Sequence, residues 1–112
     1  MEKEDKALEL FGPPFLERNL SDSNNLWSYA NFWAKEGRNL DSALEAATTL
    51  VKLAPEVYSS WDVLSAVYQK LKNFPEAIKA SEKALDLADG SMKDYMQRKL
   101  AQAKAAAKKE KK

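Results

Sequence analysis

Residues 26–54 read LWSYANFWAKEGRNLDSALEAATTLVKLA, and residues 61–88 read WDVLSAVYQKLKNFPEAIKASEKALDLA. The two stretches are copies of one pattern. A slide of 34 positions sets Ala43-Leu44 on Ala77-Ile78, Leu50-Val51 on Ala84-Leu85, and Leu53-Ala54 on Leu87-Ala88. The segment ahead of these needs a slide of 35, which sets Leu26 on Trp61, Tyr29 on Leu64, Ala30 on Ser65 and Trp33 on Tyr68. The extra residue falls in the link, where Glu36-Gly37-Arg38-Asn39 stands against Lys72-Asn73. Turns tolerate such insertions and helix interiors do not.

Each copy predicts two helices. Leu26, Tyr29, Ala30 and Trp33 have the i, i+3, i+4, i+7 spacing of an amphipathic helix, as do Trp61, Leu64, Ser65 and Tyr68. The second helices carry Leu40, Ala43, Leu44, Ala47, Leu50 and Val51, then Phe74, Ala77, Ile78, Ser81, Ala84 and Leu85. Small residues at Ala30, Ala43, Ala47, Ser65, Ala77 and Ala84 allow close helix approach. Asn39 and Asn73 are placed to cap the second helices, and Pro75 suits a first turn. Pro55 closes the first hairpin, and Asp89-Gly90 closes the second at the equivalent place. Helices are expected near 24–37, 40–54, 58–71, 74–88 and 91–104, with Trp33, Trp61, Leu64 and Tyr68 buried.

This pattern resembles the tetratricopeptide repeat, a helix–turn–helix unit of about 34 residues. The second copy carries it as Trp61, Leu64, Ser65, Tyr68, Phe74, Ala77 and Ala84, with Asp89 in place of the closing proline. The first carries Leu26, Tyr29, Ala30, Trp33, Leu40, Ala43, Leu50 and Pro55. The link from Tyr29 to Ala43 is similar to a variant of bacterial proteins, where such a pair closes a longer chain, sometimes behind a thioredoxin-like or peptidase domain. The resemblance covers residues 24–103. It implies an all-α fold, a right-handed α-solenoid segment of two hairpins. Residues 24–57 and 58–91 would be the repeats, 92–104 a C-terminal capping helix, 1–23 an N-terminal lead, and 105–112 a Lys-rich, frayed tail.

Two hairpins leave two open apolar faces, so the ends must cap them. Ser91 to Asp94 has the form of a capping box, and Met92, Tyr95, Met96, Leu100 and Ala103 form one stripe behind it. In the lead, Leu8, Leu10, Phe11, Phe15, Leu16 and Leu20 flank Gly12-Pro13-Pro14. Six large apolar residues are too many for a free tail. They are expected to cap the first hairpin. The alternative is docking to a neighbouring domain, for which an exposed apolar strip would speak. Ser21-Asp22-Ser23 offers caps for the first repeat helix.

Composition removes most chemistries. The 112 residues include no cysteine and no histidine, so disulfides, thiolate nucleophiles, Ser-His-Asp triads and the usual zinc sites are excluded. Gly12, Gly37 and Gly90 are isolated, so there is no glycine-rich phosphate loop. Glu2, Glu4 and Asp5 cluster on a charged terminus that cannot exclude water. Asp41 with Glu45, and Glu82 with Asp86, are spaced as solvated helix pairs rather than as a metal site. The reading is a non-enzyme with no cofactor, no metal and no small-molecule substrate. No apolar run is long enough to span a membrane, and Met1 to Lys6 lacks the form of a signal peptide. The compartment stays open: cytoplasmic for a complete chain, periplasmic for a fragment of a secreted protein. The net charge of +1 combines a tail of +4 over 104–112 with a body of −3. Binding to nucleic acid or membrane through lysines without interleaved aromatics is disfavoured.

What remains is a protein or peptide partner. The resemblance implies a concave face built from the first helix of each pair. Carried onto this chain, that face holds Asn24, Trp27, Asn31, Lys35, Ser59, Asp62, Ala66, Gln69 and Lys70, with Lys93 and Met96 from the terminal helix. The core of the expected groove is Trp27, Asn31, Lys35, Asp62, Ala66, Gln69 and Lys70. All lie off the apolar stripes. One subgroup of the family grips the C-terminal carboxylate of chaperone tails. At its matching positions this chain has Trp27, Asn31, Val63, Lys93 and Gln97, two of five retained, so no such clamp is expected. Trp27 itself has two readings: a groove anchor, or a ring covered by Phe11, Phe15 or Leu16 as part of the cap. Two competing roles remain for the whole: a binding module, or a structural or dimerising appendage of a larger enzyme. A two-repeat solenoid can also extend its core across a two-fold axis, which leaves monomer and homodimer open.

Overall fold

The computed structural model describes residues 12–110. Among these, six helices and no strands occur: α1 (Pro13–Arg18), α2 (Ser23–Glu36), α3 (Leu40–Leu53), α4 (Tyr58–Lys70), α5 (Phe74–Leu87) and α6 (Ser91–Glu110). Each helix from α2 onward packs on its successor, and α2 also packs on α4. That is the contact pattern of a solenoid of two antiparallel hairpins, with α6 laid against α5.

The apolar stripe of α2 forms the centre. Leu26, Tyr29, Ala30 and Trp33 have no exposed surface. Ala43, Ala46 and Ala47 of α3 are equally sealed, and their small size lets the backbones of α2 and α3 approach. Asp22 caps α2, its carboxylate accepting from the Asn25 amide at 3.1 Å. The helix ends at Gly37, whose φ of 72° and amide bonds to Trp33 and Ala34 carbonyls make a left-handed C-cap.

The capping of the later helices differs from expectation. Asn39 takes φ 52°, which turns its side chain away from the first turn of α3, and its amide donates to the Tyr29 hydroxyl at 3.1 Å. A side-chain cap needs an extended backbone at that residue. Asn73 makes no side-chain cap either, while Pro75 sits in the first turn of α5 as expected. At α6, Ser91 is already helical and Gly90 precedes it at φ 59°, so the expected box has no frame. The helix then runs to Glu110, six residues beyond the expected end and into the lysine-rich segment, whose alanines favour it.

α1 was not legible as a helix. Its two prolines stand in the first turn, where the missing N–H groups cost nothing. It folds the lead onto the first hairpin: Leu16 is buried, and the Phe15 ring stacks on Tyr29 with centroids 6.1 Å apart. Leu20 stays exposed, and Leu8, Leu10 and Phe11 lie outside the described residues.

The second hairpin is looser. Leu64 is buried as expected, but Trp61 and Tyr68 are only half-buried. Both border an open cleft with Thr48, Val51, Glu76 and Lys79, where small residues on α3 and α5 leave ring edges uncovered. The Trp61 indole donates to the Pro55 carbonyl at 2.9 Å, a bond available only at the rim. Met96 and Ala103 of α6 are sealed and close the far end of the core, as a cap should.

Candidate functional site

One residue round from its buried stripe, α2 presents Trp27, Asn31 and Lys35, each four residues from the next. α4 presents Asp62 and Ala66 at the same spacing. α6 lies beside them and adds Tyr95 and Lys99. Together with Val63, these side chains line a hollow of about 260 Å³. Five of the seven core groove residues expected from the sequence therefore meet in one place. Gln69, half-buried, and Lys70, exposed, lie outside it.

A larger opening of about 530 Å³ adjoins this hollow, lined by Ser23, Asn24, Trp27, Ser28, Leu50, Ala54, Val57, Ser59 and Ser60. Its walls are four serines, one amide, and apolar side chains from Ala54 up to Trp27, without a charge. Trp27 borders both spaces. It is 38% exposed and Val57 is 41% exposed, although both are large and apolar. Phe15 and Leu16 cover the Tyr29 side of α2, and Phe11, the third candidate for covering Trp27, lies outside the described residues.

Besides Gln69 and Lys70, two expected groove residues of α6 are elsewhere. Met96 is wholly buried in the core. The Lys93 ammonium donates to the Leu85 carbonyl at 3.1 Å, turned toward α5. Both errors have one source: α6 has no third copy to align with, so its rotation about its own axis was not readable. For the same reason Tyr95 and Lys99 were missed, though their four-residue spacing marks one face.

The charge in the hollow is concentrated on Asp62. Burial pushes its carboxyl above the ordinary value of 3.8, while the Lys99 charge and the Tyr95 hydroxyl oppose that rise. The Lys99 ammonium stands 4.0 Å from Oδ1, too far for a hydrogen bond, and 5.7 Å from the centre of the Tyr95 ring. Oδ1 is shielded and has no hydrogen-bond partner. Among the described residues no three His, Cys, Asp or Glu side chains gather as a metal site, and no helix is long and apolar enough to cross a membrane. The hollow offers an indole, a phenol, an amide and opposed charges. These are means of holding a polypeptide segment.

The family model for ChAPs, the Chs5p-Arf1p-binding proteins, matches residues 1–112, the whole of the chain. The chain belongs to the ChAPs family. No individual curated protein matches it. The family's description is one of binding proteins, which agrees with the protein-partner and non-enzyme readings at that coarse level. The ChAPs chain is thus an all-helical, solenoid-like member of a family named for two protein partners.

Proposed function

We propose that this ChAPs chain is a non-catalytic protein-binding module whose two hairpins are tetratricopeptide repeats, and that the groove between α2, α4 and α6 receives an extended segment of a partner protein. In this reading residues 24–57 and 58–91 are the repeats, 92–104 the cap and 1–23 the lead. The single observation that carries it is Trp27. A large aromatic side chain stands 38% exposed between two adjoining hollows, while Leu26, Tyr29, Ala30 and Trp33 of the same helix are sealed into the core. Exposed apolar surface next to convergent polar groups marks interaction sites, and tryptophan is enriched among the residues that dominate binding. The helices hold the groove in shape, so little ordering is needed on binding.

The family description names Chs5p and Arf1p. We take one of these as the source of the segment. The test is direct binding of purified Chs5p and Arf1p to the chain and to its Trp27→Ala and Asn31→Ala variants, with circular dichroism as the fold control. Trp27→Ala should weaken one of the two interactions by roughly thirtyfold. Unchanged binding of both proteins by folded variants rejects the groove.

A further inference from the structure

The hollow contains a carboxylate that the Tyr95 hydroxyl satisfies only in part, because one of its two oxygens is left without a hydrogen bond. Asp62 Oδ1 is shielded from solvent and accepts no hydrogen bond. Its nearest cation, Lys99, is 4.0 Å away and 30% exposed, on a flexible stem that also lies over the Tyr95 ring. Holding a carboxylate out of water is costly unless it is both paired and hydrogen-bonded. In the free protein that arrangement is incomplete.

We propose that the hollow takes an arginine side chain of the bound segment, with Asp62 as its counter-ion. This deepens the groove reading above and rests on it. A guanidinium is planar and presents paired N–H groups that match a carboxylate, and it stacks on aromatic faces. Here Asp62 supplies the carboxylate, and Trp27 and Tyr95 supply the faces, all lining one space. Lys99 already rests on Tyr95 as a cation would, and its exposed stem lets it move to solvent when a better donor arrives. A neutral side chain would leave Asp62 as it is. An acidic one would bring a like charge against a carboxylate that is already poorly solvated. Lys35 lies toward the end of α2, exposed at the outer edge of the same space.

The experiment uses the whole chain and short serine- and leucine-flanked peptides that differ only at a central arginine, citrulline, leucine or glutamate. Binding is read by Trp27 fluorescence in a background where Trp33 and Trp61 are replaced by Phe, with thermal melts as the fold control. The arginine peptide should bind at least about tenfold tighter than the citrulline peptide, which has nearly the same shape and no charge. Asp62→Asn should collapse that gap. Lys99→Met, which removes the resident competitor, should tighten the arginine peptide, an effect opposite in sign to general damage. A preference for glutamate, or an arginine preference that survives Asp62→Asn, overturns the proposal and leaves the groove reading standing. Binding of none of the peptides also overturns it; the groove reading itself falls only if the Trp27 variant binds both named proteins unchanged.

Discussion

The Ser65 and Ser81 hydroxyls meet at 2.7 Å inside the second hairpin, where both residues are almost wholly buried. Ser65 also lies 2.8 Å from the Ala77 carbonyl and donates to it, so Ser81 donates to Ser65. These hydroxyls stand where α4 and α5 cross, at positions that the first hairpin fills with Ala30 and Ala47. The second hairpin thus replaces two methyl contacts with a satisfied polar chain.

Breaking that chain from one end should cost more than removing it. Ser65→Ala leaves the Ser81 hydroxyl buried without its acceptor, a penalty of about 1–3 kcal/mol. The double variant Ser65→Ala, Ser81→Ala removes both groups and should recover part of that loss, as the alanines of the first hairpin suggest. Urea melts of the two singles and the double measure the coupling. Additive losses would show that the hydroxyls act independently.

The three tryptophans should differ in their hold on the fold. Trp33 is sealed, packs edge-on against Phe32 at 4.8 Å, and has the Arg38 guanidinium 5.2 Å above its ring. Trp33→Ala should cost about 3–5 kcal/mol, enough to unfold much of a domain of ordinary stability. Trp61→Ala should cost less, because that ring is half-exposed at the rim. Trp61→Phe isolates the indole bond to Pro55, worth about 1 kcal/mol. Thermal melts give the order, and equal losses for Trp33→Ala and Trp61→Ala would contradict it.

Solvent access ranks the same residues independently. In single-tryptophan variants, iodide should quench Trp27 more strongly than Trp61, and Trp61 more than Trp33. If Trp27 is as shielded as Trp33, it belongs to the core and cannot anchor a ligand.

Asp62 sets a pH dependence of known sign. Its folded carboxyl titrates above the ordinary 3.8, so on a rise in pH the unfolded chain releases its proton first. Across that window the folded state binds more protons, and stability falls as pH rises from the ordinary carboxylate range through the raised folded value. Lys99, Tyr95 and Lys35 are the other titratable groups on the hollow. Asp62→Asn removes the penalty. It should melt higher than the wild type at neutral pH, with the difference closing near about pH 4. A lower melting temperature at neutral pH would mean that the Lys99 pair outweighs the burial.

The helices of both hairpins were legible because their evidence is local and doubled. Leu26, Tyr29 and Trp33 recur as Trp61, Leu64 and Tyr68, and a helix of 3.6 residues per turn converts that spacing into one buried face without further information. Trp27, Asn31 and Lys35 were named by the resemblance, and the same geometry places them off the buried stripe. The exposure of Trp61 and Tyr68 did not follow, because it depends on how far α3 and α5 diverge. Nor did α1, a helix of six residues that is too short to stand alone and is held by the packing of Leu16 into the core and of Phe15 on Tyr29.

The chain itself determined which residues form the four helices of the two hairpins, where those hairpins turn, and that thiol and imidazole chemistry is absent. These depend on residue identity and on periods within a few turns. Only the tertiary structure decided the rotation of α6, and with it the burial of Met96 and the placement of Tyr95 and Lys99 over Asp62. A capping helix occurs once, has no second copy to align with, and is oriented by the surface it covers. Its register is a property of the packed whole, set by which side chains fill the end of the second hairpin most completely.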